Sequence, residues 1–521
     1  MKSTYKKKIE RRNKTYKRSN HKRSNYKRSN HKRSNHKRNK KTRKLIKKGG
    51  DIMYLSEKGA DKMFGLDQTP TRNLICSDYN KEGDKSCLAF GDVADHVAAF
   101  FNGFIGAASG DNFVEFNFAR KDIRQIGKPS ENGFVFEITN KTNGYTAYSV
   151  LKSAQETTSD NLMYEYNVGL YLNAINKFYP CFLETYGLFK YKSEREWKLF
   201  KESKKIFKLS ALQEALDLQP LDYAVGCPES KHLAILIQHL PRPNTLEDLL
   251  DDTIFLNNEL IGALFQLYVP LARLMRNFTH YDLHLGNVLI YEPAVDKYIE
   301  YHYHNTPTID SSTYFANTAR KTQTAHVASM QLNTISFKSS YIVKIIDYGR
   351  SYFYEDERNN AKTVYDEICK TAQCTDSGEI ECGASYGLSW LEDNSADPEG
   401  SHYISTQKSN ISHDLLPLDR IYKTMLKDTA LREQLPPGLY EDLLGKVMYE
   451  WAYGTYEDRA TGYREKTINN VQDAAIVITD FVKNRDYMAH NRAVNMRKTK
   501  LGDLHIYMDG SQPMEFIPSA P

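Results

Sequence analysis

Apolar-rich segments of strand length occur in the first half of the chain. One covers residues 134–138, an Asn-Gly pair follows at 143–144, and the next covers residues 145–151. Asn-Gly favours a two-residue hairpin turn because both of its residues readily adopt positive φ. A glycine-containing segment precedes it. The pattern therefore predicts a strand, a glycine turn and two strands joined by a hairpin, with Lys152 at the end of the last strand.

Two longer segments repeat their apolar residues at the spacing of a helix. Residues 160–175 place Glu165 beside the apolar stripe, so its carboxylate would face inward and need a cation, for which Lys152 is the candidate. Residues 260–275 carry leucine at every third or fourth position, the pattern of a buried core helix. The stripe of the first segment consists of Leu162, Tyr166 and Leu170.

Two polar motifs follow the second predicted helix. Residues 280–287 read His-Tyr-Asp-Leu-His-Leu-Gly-Asn, and residues 346–349 read Ile-Asp-Tyr-Gly. In a tight loop this spacing lets the Asp282 carboxylate face an acceptor hydroxyl while the Asn287 carboxamide turns toward Mg²⁺ on the phosphates of ATP. Asp347 would hold the other metal ion. Either motif alone is also typical of a capped turn, but the glycine turn, strand lysine and helix glutamate upstream favour phosphoryl transfer.

The predicted strands also suggest where a nucleotide would bind. Backbone amides of the glycine turn would cradle phosphates, and the strand-end lysine lies beneath that turn. A buried strand, residues 234–238, resembles the strand that leads into the hinge of protein kinases, and this resemblance implies that the hinge backbone would hydrogen-bond an adenine ring. The candidate nucleotide-binding residues are Gly127, Ser130, Gly133, Val135, Lys152, Gln238 and Leu240.

In this order the motifs resemble the protein-kinase fold over about residues 126 to 430. The resemblance implies Asp282 as catalytic base, Asn287 and Asp347 as metal ligands, and the pair of Lys152 and Glu165 for positioning phosphates. Asp-Leu-His-x-Gly-Asn and Ile-Ile-Asp-Tyr resemble haspin-like kinases. The long insert and Lys-Ile-Ile-Asp-Tyr-Gly-Arg-Ser-Tyr resemble most the serine/threonine kinases of large cytoplasmic (giant) DNA viruses.

Several departures from the kinase pattern change particular expectations. The glycine turn has two of the usual three glycines, so its contacts with phosphate would have an altered geometry. Tyr281 replaces an arginine that grips a phosphorylated activation loop in most regulated kinases. His284, the fourth candidate catalytic residue, replaces a lysine that usually steadies the γ-phosphate. It would do the same when protonated, or would hydrogen-bond Asp282 instead.

Charge is distributed unevenly along the chain. The 521 residues carry +6 in total, but residues 1–50 contain 23 Lys plus Arg and one acid, Glu10, so their +22 leaves −16 on the remainder. In this arm Lys-Arg-Ser-Asn recurs every five residues, a period of neither helix nor strand, so we expect disorder. The arm suits nucleic acid or another polyanion. A nuclear-import signal, or binding to the acidic remainder, is the alternative.

Cysteine content and hydropathy bear on the compartment. Seven cysteines, an odd number, favour a reducing compartment over a disulfide framework. The N-terminus is too charged for a secretory signal and no stretch reaches the length of a membrane span. We therefore expect an intracellular protein without a membrane partner, in host cytoplasm, nucleus or virion if viral. Three of the cysteines lie near a histidine but fit no compact zinc pattern: Cys369, Cys374, Cys382 and His402.

An insert separates the two catalytic motifs. Asp347 follows Asn287 by 60 positions, whereas kinases have about a dozen residues there, so an insert occupies about residues 292–340. Residues 297–304 alternate as a strand and 305–323 resemble a loop. His302 and His304 share one face of that strand, but two histidines without a third ligand are more often not a metal site.

Further along, Ser-His-Asp-Leu-Leu at 412–416 resembles the start of the helix whose aspartate, here Asp414, braces the catalytic loop from below. A closing helix is expected near residues 469–474 and a strand over 501–507. The expected parts of the chain are the basic arm (1–50), an extension packed on the small lobe (51–125), the small lobe (126–240), and the large lobe with the insert and a C-terminal extension (241–521).

The fold class predicted is α+β: a two-lobed, protein-kinase-like fold with a small antiparallel lobe that has one helix, and a larger, mainly helical lobe. The function predicted is an ATP- and Mg²⁺-dependent kinase that phosphorylates serine or threonine in protein substrates. One alternative is a small-molecule kinase, because Asp-Leu-His-x-Gly-Asn also resembles aminoglycoside and choline kinases. The other is a catalytically weak scaffold that binds nucleic acid through its arm.

Overall fold

The computed structural model describes residues 74–79, 85–89, 117–118, 122–126, 133–142, 145–154, 162–202, 207–217, 232–240, 243–308, 331–361, 363–364, 409–449, 467–484 and 497–519. The basic arm lies outside the described residues, as do Gly127, Ser130 and the zinc candidates near Cys374. The expectations for these residues stay predictions.

Ten strands before residue 240 form one sheet, in which nearly all pairings are antiparallel. The strands are β1 (Leu74–Tyr79), β2 (Lys85–Ala89), β3 (Asn117–Phe118), β4 (Asp122–Ile126), β5 (Gly133–Thr142), β6 (Tyr145–Ala154), β7 (Thr185–Tyr191), β8 (Phe207–Lys208), β9 (Leu216–Asp217) and β10 (Leu233–Gln238). Neighbouring strands follow the order β8-β4-β5-β6-β10-β7-β9. Of the remaining three, β3 pairs with β5, β2 pairs with β6, and β1 pairs with β2.

Burial alternates along strand β5. Phe134, Phe136 and Ile138 are buried in the core, while the residues between them are partly exposed. Its hairpin with β6 has the two-residue connection expected for Asn-Gly and places Val135 directly opposite Lys152. The predicted strands and their hairpin pairing are thus confirmed, although both strands run a few residues longer than expected; the glycine turn before β5 lies outside the described residues.

In the described residues, three helices accompany this sheet. The first contacts β7, β10 and the turn over residues 348–350, which overlaps the second predicted motif. The second contributes Trp197 and Phe200 to the core, and the Phe200 ring lies 5.7 Å from that of Phe136. The helices are α1 (Leu162–Asn176), α2 (Glu194–Glu202) and α3 (Leu209–Ala215).

The apolar stripe predicted for α1 is wrong at one end. Leu170 is 44% exposed, because residues spaced by exactly four drift around a helix that turns every 3.6 residues. The buried face passes instead through Glu165, Val168 and Leu172. Glu165 therefore lies on the inward face itself, which makes the need for a cation partner stronger than the sequence implied.

Five helices follow residue 240 in the described residues. The leucine-rich segment forms α5, which is buried on nearly every side, as predicted, and packs against α8. Asn470 caps α8 by accepting the Asp473 N–H at 2.9 Å, where a closing helix was expected. The helices are α4 (Thr253–Asn258), α5 (Leu260–Leu274), α6 (Leu416–Lys427), α7 (Thr429–Arg432) and α8 (Val471–Lys483).

Three further sheets occur in the same region, in the orders β11-β13-β16, β12-β17 and β15-β14-β18-β19. The first carries the two predicted catalytic motifs at one of its ends. The strands are β11 (Asn244–Thr245), β12 (Phe278–Thr279), β13 (Val288–Tyr291), β14 (Lys297–Thr308), β15 (Gln331–Ser339), β16 (Ile342–Ile345), β17 (Tyr352–Phe353), β18 (Thr499–Tyr507) and β19 (Glu515–Pro518).

The insert forms the hairpin β14–β15, and β14 also pairs in parallel with β18 near the C-terminus. The sequence predicted β14 and β18 but not their pairing, and it did not predict β15. The loop expected from residue 305 is wrong at its start, since β14 continues to Thr308. Asn305 has a φ of 56° where the register shifts, so the strand continues through an irregularity that an asparagine tolerates well.

The observed class is mixed α+β with antiparallel sheets, as predicted. Among the described residues after 240, the insert and the C-terminal strands also build a four-stranded sheet, which was not expected. Within the described residues, no helix combines the length and the hydropathy that a membrane crossing requires.

Candidate active site

The two catalytic motifs meet because of the way β13 and β16 pair. The strands are antiparallel, with Val288 opposite Ile345, so the residue before β13 and the residues after β16 lie at the same end. Asn287 and Asp347 occupy those positions, and the Ile346 N–H donates to the Asn287 carbonyl at 3.1 Å. The insert leaves and returns at the opposite end, and so does not separate the two residues in space.

A buried carboxylate holds the loop 280–287 from below. Asp414 accepts the His280 N–H at 2.8 Å and the Tyr281 N–H at 3.2 Å, which confirms the bracing contact predicted for it. Burial raises the pKa of Asp414 to about 7, while the two N–H donors act in the opposite direction. Tyr281 has a φ of 62°, a conformation that a bulky residue rarely adopts.

Hydrogen bonds within the loop fix its polar side chains. The Asn287 side-chain N–H₂ donates to the Asp282 carbonyl at 2.8 Å. Because the Ile346 carbonyl can only accept, His280 donates to it through Nε2 at 2.9 Å, and its Nδ1 accepts the Asp282 N–H at 3.3 Å. Both contacts require a neutral imidazole, and burial lowers the pKa of His280 in agreement.

Lys152 joins the large sheet to the catalytic motifs. Its ammonium donates to both carboxylate oxygens of Glu165, at 3.1 and 2.8 Å, and to Asp347 Oδ1 at 2.9 Å. The ion pair expected between Lys152 and Glu165 is therefore present. The contact with Asp347 was not foreseen, and it ties a strand, a helix and the end of β16 to one cation.

Burial and charge act in opposite directions on these three groups. Burial disfavours the ammonium of Lys152, but Asp347 and Glu165 outweigh it and raise the pKa of Lys152. Lys152 in turn lowers the pKa of Asp347 against the effect of burial. Burial raises the pKa of Glu165, which is only 4% exposed, and Lys152 opposes that shift. One cation thus keeps two neighbouring carboxylates in place.

The environment of the predicted base includes a cation that the sequence did not single out. Arg350 Nη1 lies 3.8 Å from Asp282 Oδ2, and the Asp282 side chain is 19% exposed. His284 is exposed, and its Nδ1 accepts the Gly286 N–H at 3.1 Å, so it caps the short turn that leads into β13. That contact is neither of the two roles expected for His284.

The sheet places further candidates next to Lys152. Gly133 begins β5, where a Cβ would lie 2.5 Å from the Ser153 carbonyl oxygen, so the backbone approach there requires glycine. Gln238 is buried, and its N–H donates to the Glu184 carbonyl at 2.8 Å. Val135 is partly exposed opposite Lys152, and the buried residue Leu240 follows β10.

The donor groups suit a hard divalent cation bound to phosphates. Mg²⁺ prefers oxygen ligands and is usually held by one or two protein groups together with phosphate oxygens. Asp347 offers a carboxylate that is 33% exposed, and the side-chain oxygen of Asn287 remains available because the amide nitrogen makes the contact with Asp282. The residues present therefore fit Mg²⁺ with a nucleotide, and Lys152 fits the accompanying phosphate charge.

Two residues that support this site were missed in the sequence. Lys344 is completely buried in β16, where it donates to the Phe182 carbonyl at 2.8 Å, and desolvation lowers its pKa to about 8. The Tyr348 hydroxyl accepts the Leu183 N–H at 2.7 Å and lies 2.7 Å from the Ile345 carbonyl. Both hold β16 against the segment before β7. A lysine within the apolar run Ile-Val-Lys-Ile-Ile was the available signal.

The chain is similar to several kinases of known structure, at low sequence identity. No family model matches the chain, and no curated protein matches it. The kinase domain of PF14_0431 is 14% identical over 46% of this chain and 52% of that chain, about half its length, with a TM-score of 0.23. The BubR1 kinase domain is 9% identical over 74% and 86%, with a TM-score of 0.26. WaaP in complex with acyl carrier protein is 10% identical over 51% and 78%, with a TM-score of 0.20. TM-scores this low do not establish an activity.

Proposed function

We propose that the protein is an ATP- and Mg²⁺-dependent phosphotransferase with a kinase-like fold, and that it phosphorylates serine or threonine hydroxyls of proteins. The observation that carries the proposal is the ammonium of Lys152 between Glu165 and Asp347, 2.8 and 2.9 Å away, beside the loop that holds Asp282 and Asn287. Phosphoryl transfer depends mainly on positioning and on charge stabilisation, and these five residues supply groups for both.

Each residue has a distinct task in this proposal. Lys152, held in position by Glu165, binds phosphate oxygens of the nucleotide. Asn287 and Asp347 hold Mg²⁺, and Asp282 accepts the proton of the acceptor hydroxyl. When bound, Mg-ATP supplies the phosphoryl group and the metal charge that neutralises its oxygens. The sheet above Lys152, from Gly133 and Val135 to the hinge at Gln238 and Leu240, would cover the nucleotide.

The assay compares acceptors as well as variants. Purified protein with Mg-ATP is offered a peptide array, aminoglycosides and choline, and phosphate incorporation is measured for wild type, Asp282→Asn and Asp347→Ala. Asp251→Asn, which changes an exposed aspartate in a turn, is the matched control. We expect peptide phosphorylation on serine or threonine and a loss on the order of a hundredfold or more in both site variants, since each lacks a group needed in the transition state.

Asp347→Ala should also bind Mg-ATP more weakly, whereas Asp282→Asn should bind it about as well as wild type. Retention of more than about a tenth of wild-type turnover by Asp347→Ala would contradict its assignment as a metal ligand. Transfer to an aminoglycoside or choline but to no peptide would replace the protein substrate with a small molecule. Absence of both transfer and ATP binding would favour a scaffold.

A further inference from the structure

One face of the four-stranded sheet carries a cluster of histidine and carboxylate side chains. Alternation along β14 buries Ile299, Tyr301 and Tyr303 in the core, so the residues between them lie on the other face. Parallel pairing with β18 then sets Glu300 opposite Asp503 and His302 opposite His505. This face brings together the insert and the C-terminal region, about 200 positions apart, and takes no part in the proposed phosphoryl transfer.

Three of these side chains converge closely. One donor atom from each of Glu300, His302 and Asp503 lies within 4.8 Å of the others, and His302 Nε2 is 2.8 Å from Asp503 Oδ1. Ligands around a tetrahedral ion with bonds near 2.1 Å are about 3.4 Å apart. The three groups therefore need only small side-chain adjustments to share one ion. Asp503, from a strand about 200 positions away, joins Glu300 and His302 of β14.

We propose that Glu300, His302 and Asp503 form a site for a divalent transition-metal ion of the Zn²⁺ class. One imidazole and two carboxylates suit Zn²⁺, which binds nitrogen and oxygen ligands and leaves a fourth position for water. Mg²⁺ and Ca²⁺ prefer oxygen ligands alone and would gain little from the imidazole. At 28%, 20% and 26% exposure respectively, the three side chains are accessible to an ion from solvent.

The orientation of His302 is fixed by a neighbouring strand. Its Nδ1 lies 2.9 Å from Ser336 Oγ on β15, and metal-binding histidines commonly use their second nitrogen in this way. A serine hydroxyl donates or accepts, so it accommodates either tautomer of the ring. His302 Nε2 can thus exchange a proton for a metal ion without losing the contact that aims it at Asp503.

A protein cation already lies between the two carboxylates. Lys500 Nζ is 2.8 Å from Glu300 Oε2 and 2.6 Å from Asp503 Oδ1. Two carboxylates that converge on one position repel each other and favour a positive charge there. Because Lys500 is 31% exposed, its long side chain can move into solvent when a divalent ion takes its place. Lys500 therefore competes with the metal ion for these carboxylates and weakens its binding.

A second pair of nitrogens on the same face is the rival position. His304 Nε2 lies 2.8 Å from His505 Nδ1, and the two rings are nearly parallel, with centroids 5.1 Å apart. In the described residues these two rings bring no carboxylate into a set of three. A shared hydrogen bond accounts for the contact, whereas the trio around Asp503 brings two carboxylates and one imidazole together with a cation.

The test is calorimetric titration of the full chain with ZnCl₂, with MgCl₂ as the comparison. All proteins carry His21→Asn, His31→Asn and His36→Asn, so that histidines of the basic arm do not contribute. We expect one equivalent of Zn²⁺ to bind, His302→Asn to weaken binding at least tenfold, and Lys500→Met to tighten it severalfold because the competing ammonium is gone. His304→Asn, on the same face of the same strand, is the matched control and should bind within about threefold of wild type.

Thermal melting supplies a second readout, independent of catalysis. Zn²⁺ should raise the melting temperature of wild type and of Lys500→Met but not that of His302→Asn, because an ion bound across β14 and β18 stabilises the folded chain. If neither wild type nor Lys500→Met, both folded by circular dichroism, binds Zn²⁺ saturably, the proposal is wrong. If His304→Asn loses as much affinity as His302→Asn, the assigned ligand set is wrong.

Discussion

Replacing Lys152 by methionine should lower both stability and activity, and a second replacement should restore stability alone. Methionine keeps a stem of similar length but removes the cation that contacts Glu165 and Asp347 at 2.8 and 2.9 Å. Glu165, on the buried face of α1, is then left without its charged partner. Adding Glu165→Gln removes the unpaired charge on α1, and each replacement nearly preserves the shape of the side chain that it replaces.

The cost of the single replacement follows from burial. Breaking a buried ion pair by removing one partner typically costs about 3 to 5 kcal/mol. Glu165 is 4% exposed, whereas Asp347 is 33% exposed and partly screened by solvent, so Glu165 accounts for most of the loss. Protonation of Glu165 limits this loss of stability, because without Lys152 the pKa of Glu165 in the folded protein rises further above its value in the unfolded chain. The variant should therefore lose roughly 2 to 4 kcal/mol at pH 8 and less at pH 5, where the carboxyl is protonated.

Urea unfolding followed by tryptophan fluorescence at pH 5 and pH 8, with phosphate transfer measured on the same samples, tests this reasoning. We expect Lys152→Met/Glu165→Gln to recover more than half of the stability lost at pH 8, while transfer stays on the order of a hundredfold or more below wild type, because no ammonium remains for the phosphates. A single variant within about 0.5 kcal/mol of wild type, or a double variant no more stable than the single, would refute the assigned ion pair.

Three other changes probe separate parts of the chain. Asp414→Asn leaves one of two N–H donors without an acceptor and should cost about 1 to 3 kcal/mol of stability. Because the pKa of Asp414 in the folded protein is raised to about 7, wild type loses stability as the pH rises toward 8, whereas the asparagine variant does not. In urea unfolding, the difference in unfolding free energy between wild type and variant should therefore narrow by roughly 2 kcal/mol from pH 5 to pH 8. Gly133→Ala brings a Cβ to 2.5 Å from a backbone carbonyl oxygen, so its melting temperature and its affinity for ATP in a nucleotide titration should both fall. Deleting residues 1–50 should leave turnover on a neutral peptide within about threefold of wild type. In fluorescence titrations, the truncated chain should bind oligonucleotides more weakly and with less dependence on salt. Equal binding by the truncated chain would favour the interpretation of residues 1–50 as an import signal.

Most of the candidate site could be predicted because its parts are local in sequence. The hairpin that carries Lys152 follows from two apolar-rich segments and an Asn-Gly turn, and both residues of the loop from Asp282 to Asn287 lie within one short segment. The bracing contact of Asp414 was predicted from a resemblance at one helix start, and the structure confirms it. Each of these features depends on a pattern of fewer than about ten residues, within which the backbone has few choices.

The features that the sequence did not reveal depend on contacts between distant segments. Neither β14 nor β18 indicates which strand it pairs with, since an alternating pattern specifies a buried face but not a partner. The contact of Arg350 with Asp282 requires the turn after β16 to lie beside the loop, which is set by the pairing of β13 with β16.

Backbone strain at the site was also outside the reach of pattern analysis, and it bears on function. Tyr281 and Asp347 both have positive φ, 62° and 68°, a conformation that costs a non-glycine residue on the order of 1 kcal/mol or more. Glycine at position 347 would relieve that cost but would remove the carboxylate that contacts Lys152. The contact of the Asp347 side chain with Lys152 therefore opposes the preference of its own backbone, and residues held in such conformations are common at functional sites.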